Sequence, residues 1–270
     1  MLDPDKPILL TGAAGRLGGF LRPQLAKRPG GVRSTDVLPF GPPLPNEEIV
    51  TADLADASAI DRAVSGVSAI VHFGAIRIED RFENILRANI VGTFNVFDAA
   101  RRQGVKRVVY SSSVHAIGYY ESSETIDSSV PHRPDTYYGL SKAFGEDLAR
   151  FYVDKAKMEI ACLRIGTVLE EPKNARHLWS FLSIPDLVRV VDACLDQANL
   201  TFDVVYAKSA NTRTWWDNSK SVVDYGPQDD SEIYAGRFAD ADSDPAADPN
   251  RRYQGGPFIP LDFGENPPPR

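Results

Sequence analysis

The chain of 270 residues is 43% hydrophobic and 25% charged, which is ordinary for a globular protein that buries one sizeable core. Its formal net charge of −7 argues against a nucleic-acid-binding surface, and no apolar run reaches membrane-spanning length or resembles a signal peptide. The lack of such segments favours the cytoplasm. The two cysteines, Cys162 and Cys194, lie in apolar runs without disulfide or metal-site spacing, so we expect buried free thiols.

The first predicted strand, residues 7–11, ends in a glycine-rich turn that leads into a helical pattern. The glycines are Gly12, Gly15 and Gly18. In a dinucleotide-binding turn the first glycine permits the tight bend, the second lets the backbone approach the pyrophosphate, and the third permits close packing of helix on strand. The helix N-terminus then offers N–H groups to the phosphates. A glycine-rich helix start without a ligand is the alternative.

The second predicted strand, residues 31–36, ends at an acidic residue, Asp36. A carboxylate at this position can accept hydrogen bonds from both ribose hydroxyls and repels a 2′-phosphate, which favours NAD over NADP. Arg33 lies close enough in sequence to keep NADP open. A solvated aspartate at the strand end is the structural alternative.

A loop with four prolines follows at residues 38–45. We expect a third strand at residues 49–54, with Asp53 at its tip facing the adenine. Helical spacing then predicts a helix at residues 57–64, and an apolar pattern predicts a strand at residues 67–73. The turn at residues 72–75 is suited to the far side of a cofactor. We expect His72 to be packed rather than catalytic, because the strand pattern buries it.

The longest helical pattern covers residues 81–103 and ends at Gly104, which fits a C-cap. Its predicted apolar stripe consists of Ile85, Leu86, Ile90, Phe94 and Phe97. Asn89 is a polar residue within this pattern, and it either hydrogen-bonds the turn near the active site or lies at the edge of the stripe. The fifth predicted strand, residues 105–110, runs into three serines that end at Ser113.

A phenol and an ammonium stand four residues apart at Tyr138 and Lys142. On a helix these positions share one face, so the two groups can converge. A neighbouring ammonium favours the phenolate, and such a phenol can take a proton from an alcohol while a hydride leaves the same carbon. A solvated Tyr–Lys pair is the alternative. Tyr137 is a second phenol, but its spacing from Lys142 points it elsewhere.

Strands alternate with helices through this half of the chain, which predicts a doubly wound α/β fold with a parallel sheet. Ligands bind beyond the carboxyl ends of the strands in such sheets. The candidate residues at predicted strand ends are Gly12, Asp36, Asp53, Gly74 and Ser113. Their coincidence carries more weight than any single motif.

The second half predicts a sixth strand at residues 158–165, with a turn at Gly166 and Thr167 near the nicotinamide. Residues 171–177 form a polar loop in which Arg176 can bind a carboxylate through two parallel N–H bonds. A surface arginine is the alternative. A helix is predicted at residues 184–195 and a short strand at residues 202–206.

The last part of the chain is less regular. Trp215 and Trp216 predict core packing before a capped helix. Residues 224–248 are rich in aspartate and predict a solvated segment or mobile arm. Residues 257–261 are an apolar island in a proline-rich tail, which is suited to clamping across a partner subunit.

The ordered motifs resemble the extended short-chain dehydrogenase/reductase family over roughly residues 8–168. They are TGAAGRLG at 11–18, DL at 53–54, SSS at 111–113 and YGLSK at 138–142. The resemblance implies that Ser113 binds the reacting oxygen, Tyr138 is the base, and Lys142 binds the ribose and stabilises the phenolate. The implied cofactor contacts are Gly12, Ala14, Gly15, Arg16, Leu17, Gly18, Asp36, Asp53, Leu54, Phe73, Gly74, Ala75, Asn89, Tyr138, Lys142 and Ile165.

Within that family the chain resembles the branch that oxidises hexuronic acids at C1 with NAD. The matching segments are SVHAIGYY at 113–120, LRIGT at 163–167, EPKNAR at 171–176 and WWDN at 215–218. The resemblance implies that Arg176 grips the sugar carboxylate and that His115 helps to bind the sugar. Val114 and Arg77 depart from the pattern, at positions expected to line the pocket. The implied substrate contacts are Arg77, Ser113, His115, Tyr138, Gly166, Thr167 and Arg176.

We therefore predict an NAD-binding portion at residues 1–168 and a smaller substrate-binding portion with an acidic, proline-rich tail at residues 169–270. The predicted activity is NAD-dependent oxidation of glucuronate or galacturonate to the aldarolactone, by a homo-oligomer without nucleic-acid or membrane partners. One alternative is a nucleotide-sugar epimerase or dehydratase, although the short second portion argues against a large nucleotide-diphosphate pocket. The other is a non-catalytic NAD-sensing protein, a class that tends to lose the tyrosine or the lysine.

Overall fold

Seven parallel strands form the central sheet in the computed structural model, which describes residues 2–239 and 248–265. The strands of the chain are β1 Ile8–Thr11, β2 Val32–Asp36, β3 Glu47–Thr51, β4 Ala69–His72, β5 Arg107–Ser113, β6 Ile126–Asp127, β7 Glu159–Ile165, β8 Thr167–Val168, β9 Phe181–Leu182, β10 Phe202–Ala207 and β11 Trp216–Asp217. The main sheet has the order β10-β7-β5-β4-β1-β2-β3, and the pairs β11-β6 and β8-β9 stand apart. The doubly wound parallel sheet is confirmed.

Helices cover both faces of this sheet. They are α1 Arg16–Leu25, α2 Ala57–Val64, α3 Phe82–Ile85, α4 Gly92–Arg102, α5 Tyr137–Ala156, α6 His177–Ser180, α7 Ile184–Asp196 and α8 Pro249–Arg252. A π-helical turn, Leu86–Val91, joins α3 to α4, and 3₁₀ helices lie at Val114–Ile117, Ser231–Arg237 and Gly256–Phe258. None of the helices among the described residues is both long and apolar enough to cross a membrane.

The hydrophobic core has two layers, one on each face of the central sheet. In β1, Leu10 packs in the cluster that includes Leu21 of α1 and Leu187 of α7, whereas Leu9 packs in the cluster that includes Ile60 of α2 and Phe97 of α4. Successive residues of a strand point to opposite faces, so an apolar strand holds both layers. β10 belongs to this sheet although it lies beyond residue 168, and the predicted boundary there stays a prediction.

The centre of the sheet sets the position of the site. β1 pairs with β2 on one side and with β4 on the other, so connections leave in opposite directions from this point. A crevice then opens at the carboxyl ends of the strands. Gly12, Asp36 and Ser113 lie at these ends, as predicted.

The predicted stripe of the helix at residues 81–103 is wrong in part. Ile85 and Phe97 are buried, but Leu86 and Phe94 are 39% and 46% exposed. The buried face instead runs through Asn89 and the neighbouring polar positions. Hydrogen bonds satisfy these polar side chains, which offsets the desolvation cost of burying them. A prediction from apolar periodicity does not take such bonds into account.

No helix directly follows the two tryptophans, so that prediction is wrong. Trp215 and Trp216 are buried as expected, but Asn218 turns back to the edge of β10. Its side chain accepts a hydrogen bond from the Tyr206 N–H and donates one to the Tyr206 carbonyl, each at 2.9 Å. An amide that pairs with an open strand edge satisfies backbone groups that a helix cap would have left unpaired.

The acidic segment contains one short capped helix, Ser231–Arg237, while most side chains of residues 224–239 are exposed or half-buried, which agrees with the predicted solvated segment. Asp230 accepts hydrogen bonds from Thr212 N and Glu232 N at 2.9 Å each and caps the helix Ser231–Arg237. Aspartate side chains here serve as caps, which composition alone does not distinguish from solvation. Residues 240–247 lie outside the described residues.

The apolar island near the C-terminus packs on its own chain. Phe258 is 2% exposed and contacts a cluster that contains Ile85 and Tyr138. The expectation that it clamps a partner subunit is therefore wrong for Phe258. The C-terminal segment instead builds one wall of the candidate site, beside the helix that carries Tyr138.

Candidate active site

The glycine turn after β1 has the geometry that a dinucleotide site requires. Gly12 has φ +75, and a Cβ there would lie 2.6 Å from the carbonyl carbon of Phe73. A Cβ on Gly18 would lie 2.1 Å from Gly12 O, so only glycine lets α1 pack this closely. Gly15 is the N-cap of α1 and brings no side chain to cover the N–H groups of the first turn. These groups can bind a pyrophosphate, which remains the predicted role of Gly15.

Asp36 is held beside this turn. Its Oδ2 accepts a hydrogen bond from Ala14 N at 3.0 Å, and its Oδ1 accepts one from Leu38 N at 3.0 Å. Arg33 is bound elsewhere, because its guanidinium donates to Glu48 at 2.7 Å and to the carbonyls of Ala63 and Ser65. A carboxylate without that arginine beside it favours a ribose with free hydroxyls, as in NAD.

Asp53 and Leu54 brace the loop after β3. Asp53 accepts hydrogen bonds from Ala55 N at 2.9 Å and from Arg87, which lower the pKa of its carboxyl below the ordinary value. Leu54 fits against two glycines, since a Cβ on Gly74 or Gly92 would lie 2.9 Å or 2.7 Å from its side chain. The adenine contact of Asp53 stays a prediction.

Buried polar contacts fix the turn after β4. His72 is 1% exposed, and its ring nitrogens lie 2.7 Å from Thr11 Oγ1 and 3.1 Å from Thr93 Oγ1. Burial lowers the pKa of His72 to about 3, so this histidine is neutral and packed, as predicted. Thr11 Oγ1 also accepts a hydrogen bond from Gly74 N at 3.0 Å. The backbone at Phe73, Gly74 and Ala75 is therefore fixed at the carboxyl edge.

Asn89 connects that turn to the catalytic helix. It accepts a hydrogen bond from Ile76 N at 2.8 Å and donates to Ile76 O at 3.0 Å and to Ser141 Oγ at 2.9 Å. Ser141 in turn donates to the carbonyl of Tyr138 at 2.7 Å. The first of the two readings of Asn89, a bond to the turn, is confirmed, while a direct cofactor contact stays a prediction.

The catalytic candidates Ser113, Tyr138 and Lys142 lie around the end of β5. Thr136 caps α5 by accepting a hydrogen bond from Gly139 N at 3.0 Å, and Tyr138 and Lys142 share the following turn. Lys142 Nζ lies 5.6 Å from the centre of the Tyr138 ring and donates to Ser111 O at 2.6 Å. Burial lowers the pKa of Lys142 to about 7. The predicted convergence on one helix face is confirmed.

The second phenol points away from this group. The ring of Tyr137 contacts Phe82 at 5.3 Å and Phe263 at 5.6 Å between centroids. Both contacts lie outside the set formed by Ser113, Tyr138 and Lys142. The prediction that Tyr137 points elsewhere is confirmed.

His115 lies next to Tyr138. Its backbone N–H donates to Ser113 Oγ at 3.2 Å, and its ring centre is 5.7 Å from that of Tyr138. Phe258 stacks on the other side, with 3.9 Å between ring centres. His115 Nδ1 lies 2.7 Å from Asp135 Oδ2. A predicted sugar-binding histidine is thus fixed between the base and the C-terminal segment.

Arg176 is not an exposed surface side chain, so the alternative of a surface arginine is wrong. It is half-buried, its Nη2 donates to the carbonyl of Gln254, and it lies over the Trp215 ring at 5.4 Å. A Cβ on Gly256 would lie 2.3 Å from Arg176 Nε. Gly256 and Phe258 share one short helix, so the same segment touches Arg176 and His115.

The turn at Gly166 and Thr167 approaches Arg176 from the sheet. Thr167 Oγ1 lies 2.9 Å from Ser180 Oγ, to which Arg176 Nη1 donates at 3.5 Å. A Cβ on Gly166 would lie 2.4 Å from Ser180 O, so glycine permits this approach. The predicted substrate residues after β7 therefore lie beside the candidate carboxylate clamp.

Other predicted residues lie around the site without joining its centre. Arg16 donates to Val168 O at 2.7 Å and ties α1 to β8, while Leu17 and Ile165 pack with the core. Arg77 is exposed on the loop after β4. Val114 is 5% exposed and packs in a cluster with Ile117 and Tyr120, and its place in the sugar pocket stays a prediction.

Sequence reasoning missed three contributors to this site, namely Asp135, Gln254 and Phe258. Asp135 lies just before the helix cap, where aspartate is common for reasons of turn formation alone. Gln254 and Phe258 come from a tail whose local pattern predicted no fixed position. The apolar island at residues 257–261 was the signal for burial, but it did not identify the surface that is covered.

Comparison with known proteins agrees with this geometry. Residues 8–182 match the family model described as the NAD dependent epimerase/dehydratase family. The uronate dehydrogenase of Pseudomonas syringae pv. tomato (strain ATCC BAA-871 / DC3000) is 46% identical over 259 residues, which cover 95% of this chain and 94% of that protein.

Two solved structures share the fold over nearly the whole chain. Glucuronic acid dehydrogenase from Chromohalobacter salexigens has a TM-score of 0.92 and 41% identity, covering 98% of this chain and 99% of that chain. A tyrosine-to-alanine variant of uronate dehydrogenase from Agrobacterium tumefaciens, complexed with NAD, has a TM-score of 0.89 and 42% identity. That comparison covers 96% of this chain and 98% of the other.

Proposed function

The chain belongs to the NAD dependent epimerase/dehydratase family, and we propose that it oxidises a hexuronic acid, glucuronate or galacturonate, at C1 to the aldarolactone. The observation that carries this proposal is the position of Arg176. Its guanidinium lies against the short helix whose Phe258 stacks on His115, next to Tyr138. A cation that can pair with a carboxylate therefore stands near a candidate base for an alcohol.

The residues at the strand ends fit NAD. Gly12 adopts a left-handed turn, α1 begins at the turn without a side-chain cap, and Asp36 is held at the end of β2. This set offers N–H groups for the pyrophosphate and a carboxylate for the ribose. When bound, NAD supplies the hydride acceptor for the oxidation.

Side chains of the protein carry out the proton transfer from the C1 hydroxyl. Tyr138 takes the proton of the C1 hydroxyl, and the hydroxyl of Ser113 holds the same oxygen in place. The ammonium of Lys142 favours the phenolate of Tyr138. Because burial brings the pKa of Lys142 to about 7, this group can also exchange a proton near neutral pH.

Arg176 orients the sugar through its carboxylate. The guanidinium lies in a half-buried position beside Gly256 and over Trp215, where solvent screens a charge less than at an open surface. A planar fork of N–H donors matches a carboxylate better than an ammonium does. The carboxylate clamp is expected to distinguish uronates from neutral sugars of the same ring shape.

Net NADH formation with an analysis of the product tests the proposal. Purified protein is incubated with NAD and glucuronate or galacturonate, and the sugar product is identified by NMR. The proposal expects one NADH for each lactone formed. An epimerized sugar without net NADH would favour the epimerase alternative, and NAD binding without turnover of any sugar would favour the sensing alternative.

We also propose a homo-oligomer in the cytoplasm. Several large apolar side chains of the neighbouring helices are exposed, namely Phe82, Leu86, Phe94, Leu140 and Phe151. A second copy that packs on these helices would cover such side chains. Both cysteines are free and buried, which suits a reducing compartment. Light scattering that gives one monomer mass at working concentrations would contradict the oligomer.

A further inference from the structure

A buried carboxylate lies directly behind His115. The side chain of Asp135 has no exposed surface, and its Oδ2 lies 2.7 Å from His115 Nδ1. Thr136 Oγ1 donates to the other carboxylate oxygen at 2.9 Å. His115 Nε2, on the opposite side of the ring, hydrogen-bonds to none of the described residues. One ring nitrogen is thus committed to the protein, and the other remains for a ligand.

Three glycines make room for this carboxylate. A Cβ on Gly118 or Gly255 would lie 2.0 Å from Asp135 Oδ2, and one on Gly139 would lie 3.0 Å from Oδ1. These glycines come from separate segments, and Gly255 N donates to Gly118 O at 2.8 Å to close the C-terminal segment over the carboxylate. Asp135 is therefore enclosed on three sides and has little freedom to move.

We propose that Asp135 is a positioning residue that keeps the His115 proton on Nδ1, so that Nε2 accepts a hydrogen bond from a sugar hydroxyl. A carboxylate only accepts hydrogen bonds, whereas a neutral imidazole has one donor and one acceptor nitrogen. The nitrogen that faces Asp135 must then be the donor, which makes Nε2 the acceptor. A second contact, the stacked ring of Phe258, fixes the plane of the imidazole.

As a consequence, His115 Nε2 favours sugars that place a hydroxyl group where it can donate a hydrogen bond to this nitrogen. This part rests on the proposed function, since the ligand is the uronate of that reaction. A histidine in the other tautomer would present an N–H instead and leave the hydroxyl proton without an acceptor. The arrangement of Asp135 thereby sets sugar affinity without contact between Asp135 and the sugar.

Nitrogen-15 chemical shifts of the histidines test the tautomer without any substrate. A His115→Asn variant identifies the His115 signals among those of the four histidines. In the wild type, at a pH where the ring is neutral, we expect a protonated Nδ1 and an unprotonated Nε2. In Asp135→Ala we expect the proton to move largely to Nε2. A wild-type ring protonated on Nε2, or an unchanged tautomer in Asp135→Ala, overturns the proposal.

Kinetics give the second readout. In the isosteric Asp135→Asn we expect the KM for the uronate to rise about three- to tenfold, with kcat and the KM for NAD within about twofold. A matched control is Asp147→Asn. The exposed carboxylate of Asp147 lies 3.7 Å from His132 Nδ1, and its replacement should change neither KM nor kcat. Equal losses in kcat and NAD affinity would indicate structural damage and contradict the positioning role.

The two proposals can fail separately. The expected tautomer in a protein that oxidises no uronate would remove the proposed function and leave the role of Asp135 in place. Uronate turnover by a protein whose His115 carries its proton on Nε2 would support the proposed function and remove the role of Asp135.

Discussion

Lys142 donates a 2.6 Å hydrogen bond to the carbonyl of Ser111 while its Nζ lies 5.6 Å from the centre of the Tyr138 ring. The bond anchors the end of a flexible side chain at the carboxyl end of β5. The position of the ammonium relative to the phenol is therefore set by the sheet and by α5 together. This placement makes the first prediction specific to Tyr138.

Replacing Tyr138 with phenylalanine should reduce kcat by at least about a hundredfold, the lower part of the range for general acid–base catalysis. The ring packing with His115 and Phe258 remains, so NAD affinity should stay nearly unchanged. Steady-state kinetics and NAD titration check both. Tyr137→Phe is the matched control and should keep full activity. Substantial turnover by Tyr138→Phe would refute the assignment of the base.

Replacing Lys142 with methionine should abolish the proton chemistry but stabilise the fold. Burial lowers the pKa of Lys142 from 10.5 to about 7, so between these values the unfolded state binds more protons than the folded state. The free energy of unfolding of the wild type therefore rises with pH across this window. The burial cost is fully present below pH about 7 and is gone above the unfolded pKa.

The stability advantage of Lys142→Met should accordingly be larger near pH 6 than near pH 9, by roughly 1.4 kcal/mol for each pH unit within the window. Urea unfolding at the two pH values measures it. Lys155→Met, an exposed lysine at the end of the same helix, should leave the pH dependence as in the wild type. An advantage that is independent of pH would contradict the burial of a charged lysine.

The choice of cofactor should depend on Asp36 and not on Arg33. Asp36→Asn keeps an acceptor for Ala14 N but removes the charge, so kcat/KM with NADP should rise relative to NAD by about tenfold or more. Arg33→Lys should leave the ratio unchanged, because the guanidinium is bound to Glu48 and to backbone carbonyls. A change in the NADP-to-NAD ratio of kcat/KM in Arg33→Lys, with no change in Asp36→Asn, would contradict the role of Asp36.

The sequence predicted the elements that local chemistry determines. The glycine turn at Gly12, the helix that carries Tyr138 and Lys142, and the strand end at Ser113 each have a spacing that identifies them. Long-range contacts had no such signal. Asp135 reaches His115 across 20 positions, and Phe258 reaches it from the far end of the chain.

The errors have the same origin. Apolar periodicity placed Phe94 inside and gave no sign that Thr93 and Asn95 are buried. Hydrogen bonds to His72 and to the carbonyl of Leu54 satisfy these two side chains. Asn218 resembles a helix cap in sequence, yet it pairs with Tyr206. In each case a partner that is distant in the chain decides which local preference prevails.

The most direct test of the account compares uronate with neutral sugar in the wild type and in Arg176→Lys. Initial rates of NADH formation give kcat/KM for glucuronate and for glucose. We expect the wild type to prefer glucuronate by at least about tenfold, and Arg176→Lys to lose about 10- to 100-fold on glucuronate with little change on glucose. Equal rates with both sugars in the wild type, or equal losses in the variant, would contradict the carboxylate clamp on which the proposed function depends.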